Sequence, residues 1–163
     1  MKHESIVVTL KDRELEHVKV FWEEMKDDEL KKLCPMTDYS LDDAIKLYEH
    51  TKKAGSSSFG KSIYAEDTYI GDVWCYSVDE VEHRNCFVSI VIFDKSYWHK
   101  GLGTVALDEF MKLIESKYDI DRICAYTYAT NTASIRLLEK VGFKIKSAFE
   151  EDGVASVYYE YHL

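Results

Sequence analysis

Residues 97–104 read Tyr-Trp-His-Lys-Gly-Leu-Gly-Thr and stand between two contrasting stretches. Before them, NCFVSIVIFD (85–94) is rich in β-branched and aromatic residues and predicts a strand. After them, Leu107, Phe110, Met111 and Ile114 fall at i, i+3, i+4 and i+7, one face of a helix. A strand therefore runs through a glycine-bearing turn into an amphipathic helix. Glycines there let the backbone approach a ligand, and free N–H groups at the helix start form an anion nest reinforced by the helix dipole. The turn alone reads two ways: as a seat for phosphate or pyrophosphate, or as a connection whose glycines serve geometry only.

Outward from this turn the chain alternates between two periodicities. Towards the N-terminus, SIYAED and TYIGDVWCYSV read as two further strands of a meander, preceded by a loop of Gly55, Ser56, Ser57, Ser58 and Gly60. Earlier still, Ser40 caps a run with Leu41, Ala44, Ile45 and Tyr48, and Leu15, Val18, Trp22 and Met25 recur at helical spacing. A charged patch ending at the breaker Pro35 separates these two helices, and Ile6, Val8 and Leu10 alternate as an opening strand. Towards the C-terminus come a strand RICAYTY and a helix TASIRLLEKV, with Asn131 as N-cap and Gly142 as its C-terminal glycine. FKIKSAF and VASVYYEYHL then meet at the Asp152-Gly153 turn. The order β-α-α-β-β-β-α-β-α-β-β is an α/β arrangement with a mixed sheet.

Composition narrows the function. The 163 residues suit one domain spanning 1–163, and 46% apolar content with 12 Tyr, 7 Phe and 3 Trp supplies a core. Asp plus Glu number 30 against 21 Lys plus Arg, a formal charge of −9, which opposes binding to nucleic acid or an anionic membrane and favours cationic partners such as polyamines, aminoglycoside-like compounds or basic protein N-termini. Cys34, Cys75, Cys86 and Cys124 lack metal spacing and read as reduced core thiols. The opening MKHESIVVTL lacks a signal-peptide core, so a cytoplasmic location is expected. His83 and His99 lack partners at ligand spacing, and no metal is expected. Gly101 to Ala106 also satisfies the GxGxxG/A dinucleotide pattern. Asp94 to His99 intervene between strand and glycines, however, and Asp121 precedes the next strand, which argues against that reading.

Tyr97 to Thr104 together with Asn131 to Phe143 resemble the GNAT N-acetyltransferase superfamily, in particular its Rim-type ribosomal-protein N-terminal acetyltransferase branch. Tyr69-Ile70-Gly71-Asp72, the opening strand and the first two helices fall where that branch has them. The resemblance implies a mostly antiparallel sheet of six to seven strands with helices on both faces, and acetyl-CoA bound where two strands splay. By position, Val91, Ile92 and Phe93 would bond the pantetheine amides and Lys100, Gly101, Leu102, Gly103 and Thr104 the pyrophosphate. Asn131 would lie near the pantetheine arm, unless it is only a helix cap, and Phe143 reads as a core aromatic.

The implied chemistry is attack of a neutral primary amine, on a small molecule or a protein N-terminus, upon the thioester, with a general acid protonating the leaving thiolate. Many relatives hold a tyrosine acid where this chain has Leu138. Ser134 is then the best-placed hydroxyl, with Tyr126 and Tyr128 as rivals. Where many relatives carry a glutamate base this chain has Phe87, and Glu82, Glu80 and His83 are the available substitutes. An α-amine with a pKa of about 7.7–8.0 is roughly a tenth neutral at pH 7, against about 0.04% for a lysine, so a missing base suits a low-pKa acceptor. Two alternatives stay open: a CoA-binding module without turnover and, further off, a dinucleotide-binding domain. The acidic positions Glu16, Glu23, Glu24, Asp42 and Asp43 form either a cation funnel or a solvated face. Monomer and homodimer are both compatible with the last strand, which would pair across a dimer or close the sheet edge.

Overall fold

A computed structural model describes residues 5–34 and 39–163. Strand β1 (Val8–Asp12) is followed by helices α1 (Leu15–Glu24), α2 (Asp28–Leu33) and α3 (Leu41–Thr51). The meander β2 (Phe59–Ala65), β3 (Thr68–Asp79) and β4 (Asn85–Ile92) leads through a 3-10 turn at Lys95–Tyr97 into α4 (Leu102–Lys117). Then come β5 (Arg122–Tyr128), α5 (Thr132–Val141), β6 (Lys144–Glu151) and β7 (Val154–His162). The seven strands form one sheet in the order β1-β2-β3-β4-β5-β7-β6, antiparallel throughout except for β4 against β5.

Two features depart from the sequence expectation. The charged patch before Pro35 holds the extra short helix α2, started by Asp27, whose carboxylate accepts the Leu30 N–H at 3.0 Å; Pro35 itself lies outside the described residues. The last strand does not lie at the sheet edge: β7 inserts between β5 and β6, leaving β6 as the edge. Its two faces explain the insertion, since Val157 and Tyr159 are buried in the core while Tyr158, Glu160 and His162 face the other way.

The main core lies between the sheet and one layer of helices. Leu107, Phe110 and Ile114 of α4 pack with Ile63, Val73 and Cys75, and α5 adds Leu138. On the opposite face Phe21 of α1 packs edge-on against Trp74 and Phe93. Helices thus cover both faces, and the single parallel pair within a meander excludes a doubly wound dinucleotide fold. Among the described residues no helix is long and apolar enough to cross a membrane.

Gly71 sets how closely β3 and β4 approach. A Cβ there would sit 2.2 Å from the Val91 carbonyl oxygen and 2.8 Å from Ile92 Cα, so any side chain must push the strands apart. Gly71→Ala is expected to cost about 1–3 kcal/mol, read as a lower urea midpoint. A midpoint equal to that of the parent would contradict this packing account.

Candidate functional site

Strands β4 and β5 are paired at only three positions, Asn85↔Arg122, Cys86↔Ile123 and Phe87↔Cys124. Beyond Phe87 the two separate, and a cavity of about 980 Å³ opens there. It is lined from both sides of the sheet: Ser89 and Val91 of β4, Tyr126 and Tyr128 of β5, Leu107 of α4, Asn131 and Ser134 at the start of α5, and Phe21 and Trp22 of α1. A gap between parted strands leaves the facing backbone groups of β4 without a strand partner. Phe93, expected on that edge, follows the end of β4: its N–H donates to the Ile70 carbonyl at 2.9 Å and its ring is buried against Phe21 and Tyr69. By the alternation of backbone groups along an antiparallel strand, Ile90 and Ile92 turn towards the gap and Val91 towards β3. The Ile92 carbonyl is already taken, accepting from Trp98 Nε1 at 2.7 Å. Val91 meets the cavity with its side chain.

The turn before α4 is built for unpaired donors. His99 and Gly101 both have positive φ (60° and 77°), and the first helical bond is Val105 N–H to the Gly101 carbonyl. The N–H groups of His99, Lys100, Gly101, Leu102, Gly103 and Thr104 therefore find no acceptor among the described residues. Gly101 meets the conformational need, as a Cβ there would touch nothing. Gly103 serves packing as well, because a Cβ on it would lie 2.6 Å from Leu137 Cδ1, so α4 and α5 meet closely at this glycine. The Lys100 side chain is exposed, with Nζ 5.9 Å from the Tyr97 ring centre.

Asn131 caps α5, its Oδ1 accepting the Ser134 N–H at 3.1 Å, while its Nδ2 donates to the Leu33 carbonyl at the end of α2 at 3.1 Å. The cap reading is thus observed, and the second bond ties α5 to the helix that sequence patterning missed. Ser134 and Leu138 are spaced i, i+4 and both line the cavity, so they belong to one stripe of α5. The Ser134 hydroxyl has no hydrogen-bond partner among the described residues. Tyr126 is 45% exposed and its ring lies 5.3 Å from Phe87 at 8°.

Glu82 is not brought to this site. It sits in the exposed turn between β3 and β4, at the closed end of the β4/β5 pair, and does not line the cavity. Its neighbour Asp79 holds the turn by accepting from the Val81, Glu82 and His83 amides at 3.0, 3.0 and 3.2 Å, which lowers the Asp79 carboxyl pKa. Asp79, Glu82 and His83 do gather their ligand atoms within 4.8 Å, but Asp79 is committed to those amides. Glu80 is in the same turn, outside the cavity lining. Glu16 and Glu23 lie beside Lys19 and Lys26, and Asp43 accepts from the Ser40 amide, so of the two readings of these acidic positions the solvated helix face fits these three, which do not line the cavity.

Sequence reading also missed the buried ion pair behind the site. Asp72, fully buried, lies 2.9 Å from Arg13 Nη2 and accepts from the Tyr69 hydroxyl at 2.6 Å. Burial raises its carboxyl above the ordinary range against the pull of Arg13 and Tyr69. Arg13 borders the cavity, with its Nε buried and without an acceptor among the described residues. The signal was present as the aspartate of Tyr69-Ile70-Gly71-Asp72, but its partner is 59 residues away, beyond any local pattern.

All four cysteines are free thiols. Burial pushes the Cys34 thiol up to about 11, so its thiolate fraction at pH 7 is on the order of one in ten thousand. The native protein is expected to resist iodoacetamide at pH 7 by intact mass. Rapid single labelling at Cys34 would contradict that environment.

Residues 8–144 match the family model described as an acetyltransferase (GNAT) domain. No curated protein sequence matches the chain. Among solved structures, the aminoglycoside acetyltransferase AAC(6')-Ib in complex with coenzyme A is 18% identical, with 96% of this chain and 95% of that one covered at a TM-score of 0.79. Mycobacterium smegmatis RimJ in complex with CoA-disulfide is 18% identical over 97% and 83% of the two chains, with a TM-score of 0.82. Spermidine N-acetyltransferase from Vibrio cholerae in complex with CoA and spermine is 16% identical over 95% of each, also at 0.82. At these identities the likeness is one of fold.

Proposed function

The chain belongs to the acetyltransferase (GNAT) family, and on that premise we propose that its β4/β5 cavity binds acetyl-CoA and transfers the acetyl group to a primary amine. The observation that carries this is the parting of β4 from β5 after three paired positions, beside a run of amides from His99 to Thr104 without acceptors among the described residues. Those donors suit a pyrophosphate, and the free β4 edge suits an extended chain with amide groups. Acetyl-CoA supplies the activated thioester; the residues bind it, exclude water and handle protons.

In this reading the amides of Lys100, Gly101, Leu102, Gly103 and Thr104 hold the pyrophosphate. The Ile92 N–H and the backbone of Ile90 hold the pantetheine arm, with Val91 packing beside it. Asn131 fixes the first turn of α5, and Ser134 presents its hydroxyl to the leaving sulfur as general acid, with Tyr126 as the second candidate. Among the described residues the carboxylates lining the cavity are Glu151 and Asp152, both exposed at the β6–β7 turn, and in this reading the acceptor loses its proton to water or arrives neutral. Two proteins of similar fold, an aminoglycoside acetyltransferase and a spermidine N-acetyltransferase, are named for amine acceptors.

Thermal shift with acetyl-CoA, CoA and NAD(P)H in parallel tests the binding half. At about a hundred times Kd a ligand stabilises by about 2.7 kcal/mol, a clear rise in Tm. A rise with the two CoA compounds alone is expected. No rise with either would remove this function.

A further inference from the structure

A ladder of aromatic side chains crosses the sheet where β4 and β5 part. Tyr76 of β3 stacks on Phe87 of β4 at 5.6 Å and 24°, Phe87 stacks on Tyr126 of β5 at 5.3 Å and 8°, and Tyr126 meets Tyr158 of β7 at 5.1 Å and 35°. Phe149 of β6 stands edge-on to Tyr126 at 5.7 Å and 83°. Tyr76, Tyr126 and Phe149 line the cavity.

The stacking decides what these rings can receive. Since the strand order is β3-β4-β5-β7, the faces of Phe87 are covered by Tyr76 and Tyr126, and those of Tyr126 by Phe87 and Tyr158. A cation is drawn to a ring face, and both faces of Phe87 and of Tyr126 are occupied. The ring edges that remain carry the positive side of the quadrupole, which repels an ammonium and attracts the face of another ring.

The charges around the cavity agree. Among its described lining residues the only carboxylates are Glu151 and Asp152, both exposed at the β6–β7 turn, and the lining also contains Arg13. Glu160, on the strand next to Tyr126, is engaged by the Tyr158 hydroxyl at 2.5 Å and lies 3.5 Å from Arg122. A polycation would enter with several ammonium groups and find few partners. The overall charge of −9 therefore says little about this pocket.

We infer that the acceptor is a primary amine that carries an aromatic ring and no second positive charge, that ring packing against the edge of Tyr126 beside Tyr76 and Phe149. This rests on the acetyltransferase reading and narrows it. The unit is shared by a peptide beginning with Phe, Tyr or Trp and by a small arylalkylamine. The amine nitrogen attacks the acetyl carbon, the carbon–sulfur bond breaks, the thiolate takes one proton, and the nitrogen gives one up.

The test compares kcat/KM, by thiol release from acetyl-CoA, for peptides alike except for an N-terminal Phe, Ala or Lys, and for phenethylamine and spermidine. The Phe peptide or phenethylamine is expected to exceed the Ala and Lys peptides and spermidine at least tenfold, and whichever of the two leads identifies the source. Phe149→Ala should raise KM for the preferred acceptor about fivefold to tenfold with a smaller change in kcat, while Phe149→Leu should recover part of it. Equal rates across the panel, or a preference for spermidine or the Lys peptide, would overturn the inference while leaving the acetyltransferase standing. Binding of acetyl-CoA without turnover of any amine would overturn both.

Discussion

Replacing Ser134 by alanine is expected to lower kcat about a hundredfold while leaving KM for acetyl-CoA within about twofold. The serine hydroxyl is free of protein partners among the described residues, and its amide is fixed by Asn131. It shares a stripe of α5 with Leu138, a side chain that cannot donate a proton. Tyr126→Phe removes the competing hydroxyl but keeps the stacked ring, and is expected to change kcat by less than about threefold. The reverse pattern, a loss in Tyr126→Phe and none in Ser134→Ala, would move the acid to β5. Melting curves of both variants separate lost chemistry from lost structure.

Asp72→Ala should cost about 3–5 kcal/mol of stability, the largest effect expected of any single change away from the cavity. The carboxylate is fully buried and faces Arg13, whose side chain is 19% exposed. Removing it strands the guanidinium, which already has one buried nitrogen without an acceptor, and frees the Tyr69 hydroxyl. Urea unfolding would show the loss as a lower midpoint at similar m-value. Replacing both partners with leucine should recover much of it, since no charge is then left alone. A loss under about 1 kcal/mol in the single variant would mean that Arg13 finds water or another acceptor.

What the sequence made legible was local. The α4 stripe, the Gly101 turn, the Asn131 cap and the Gly142 stop are each written within a few residues, and each is where its local chemistry requires. Helix α2 escaped because six residues with one buried side chain, Leu30, carry almost no periodicity. The insertion of β7 between β5 and β6 escaped because chain order does not fix sheet order. The aromatic ladder draws on four strands, and its members meet through the cross-strand register Tyr76↔Phe87 and Tyr126↔Tyr158 and the diagonal contact of Phe87 with Tyr126 across β4 and β5. Glu82 looked available because it lies near β4 in sequence, yet the turn holds it at the paired end of the strands rather than the open one.

The most direct measurement is of acetyl transfer itself: thiol release from acetyl-CoA by the purified chain with a primary amine present, with the amine product weighed by mass spectrometry. Thiol release that depends on the amine, and a product heavier by one acetyl group, are expected. Thiol release at the same rate without amine, or an unmodified amine after prolonged incubation across the whole acceptor panel, would contradict it.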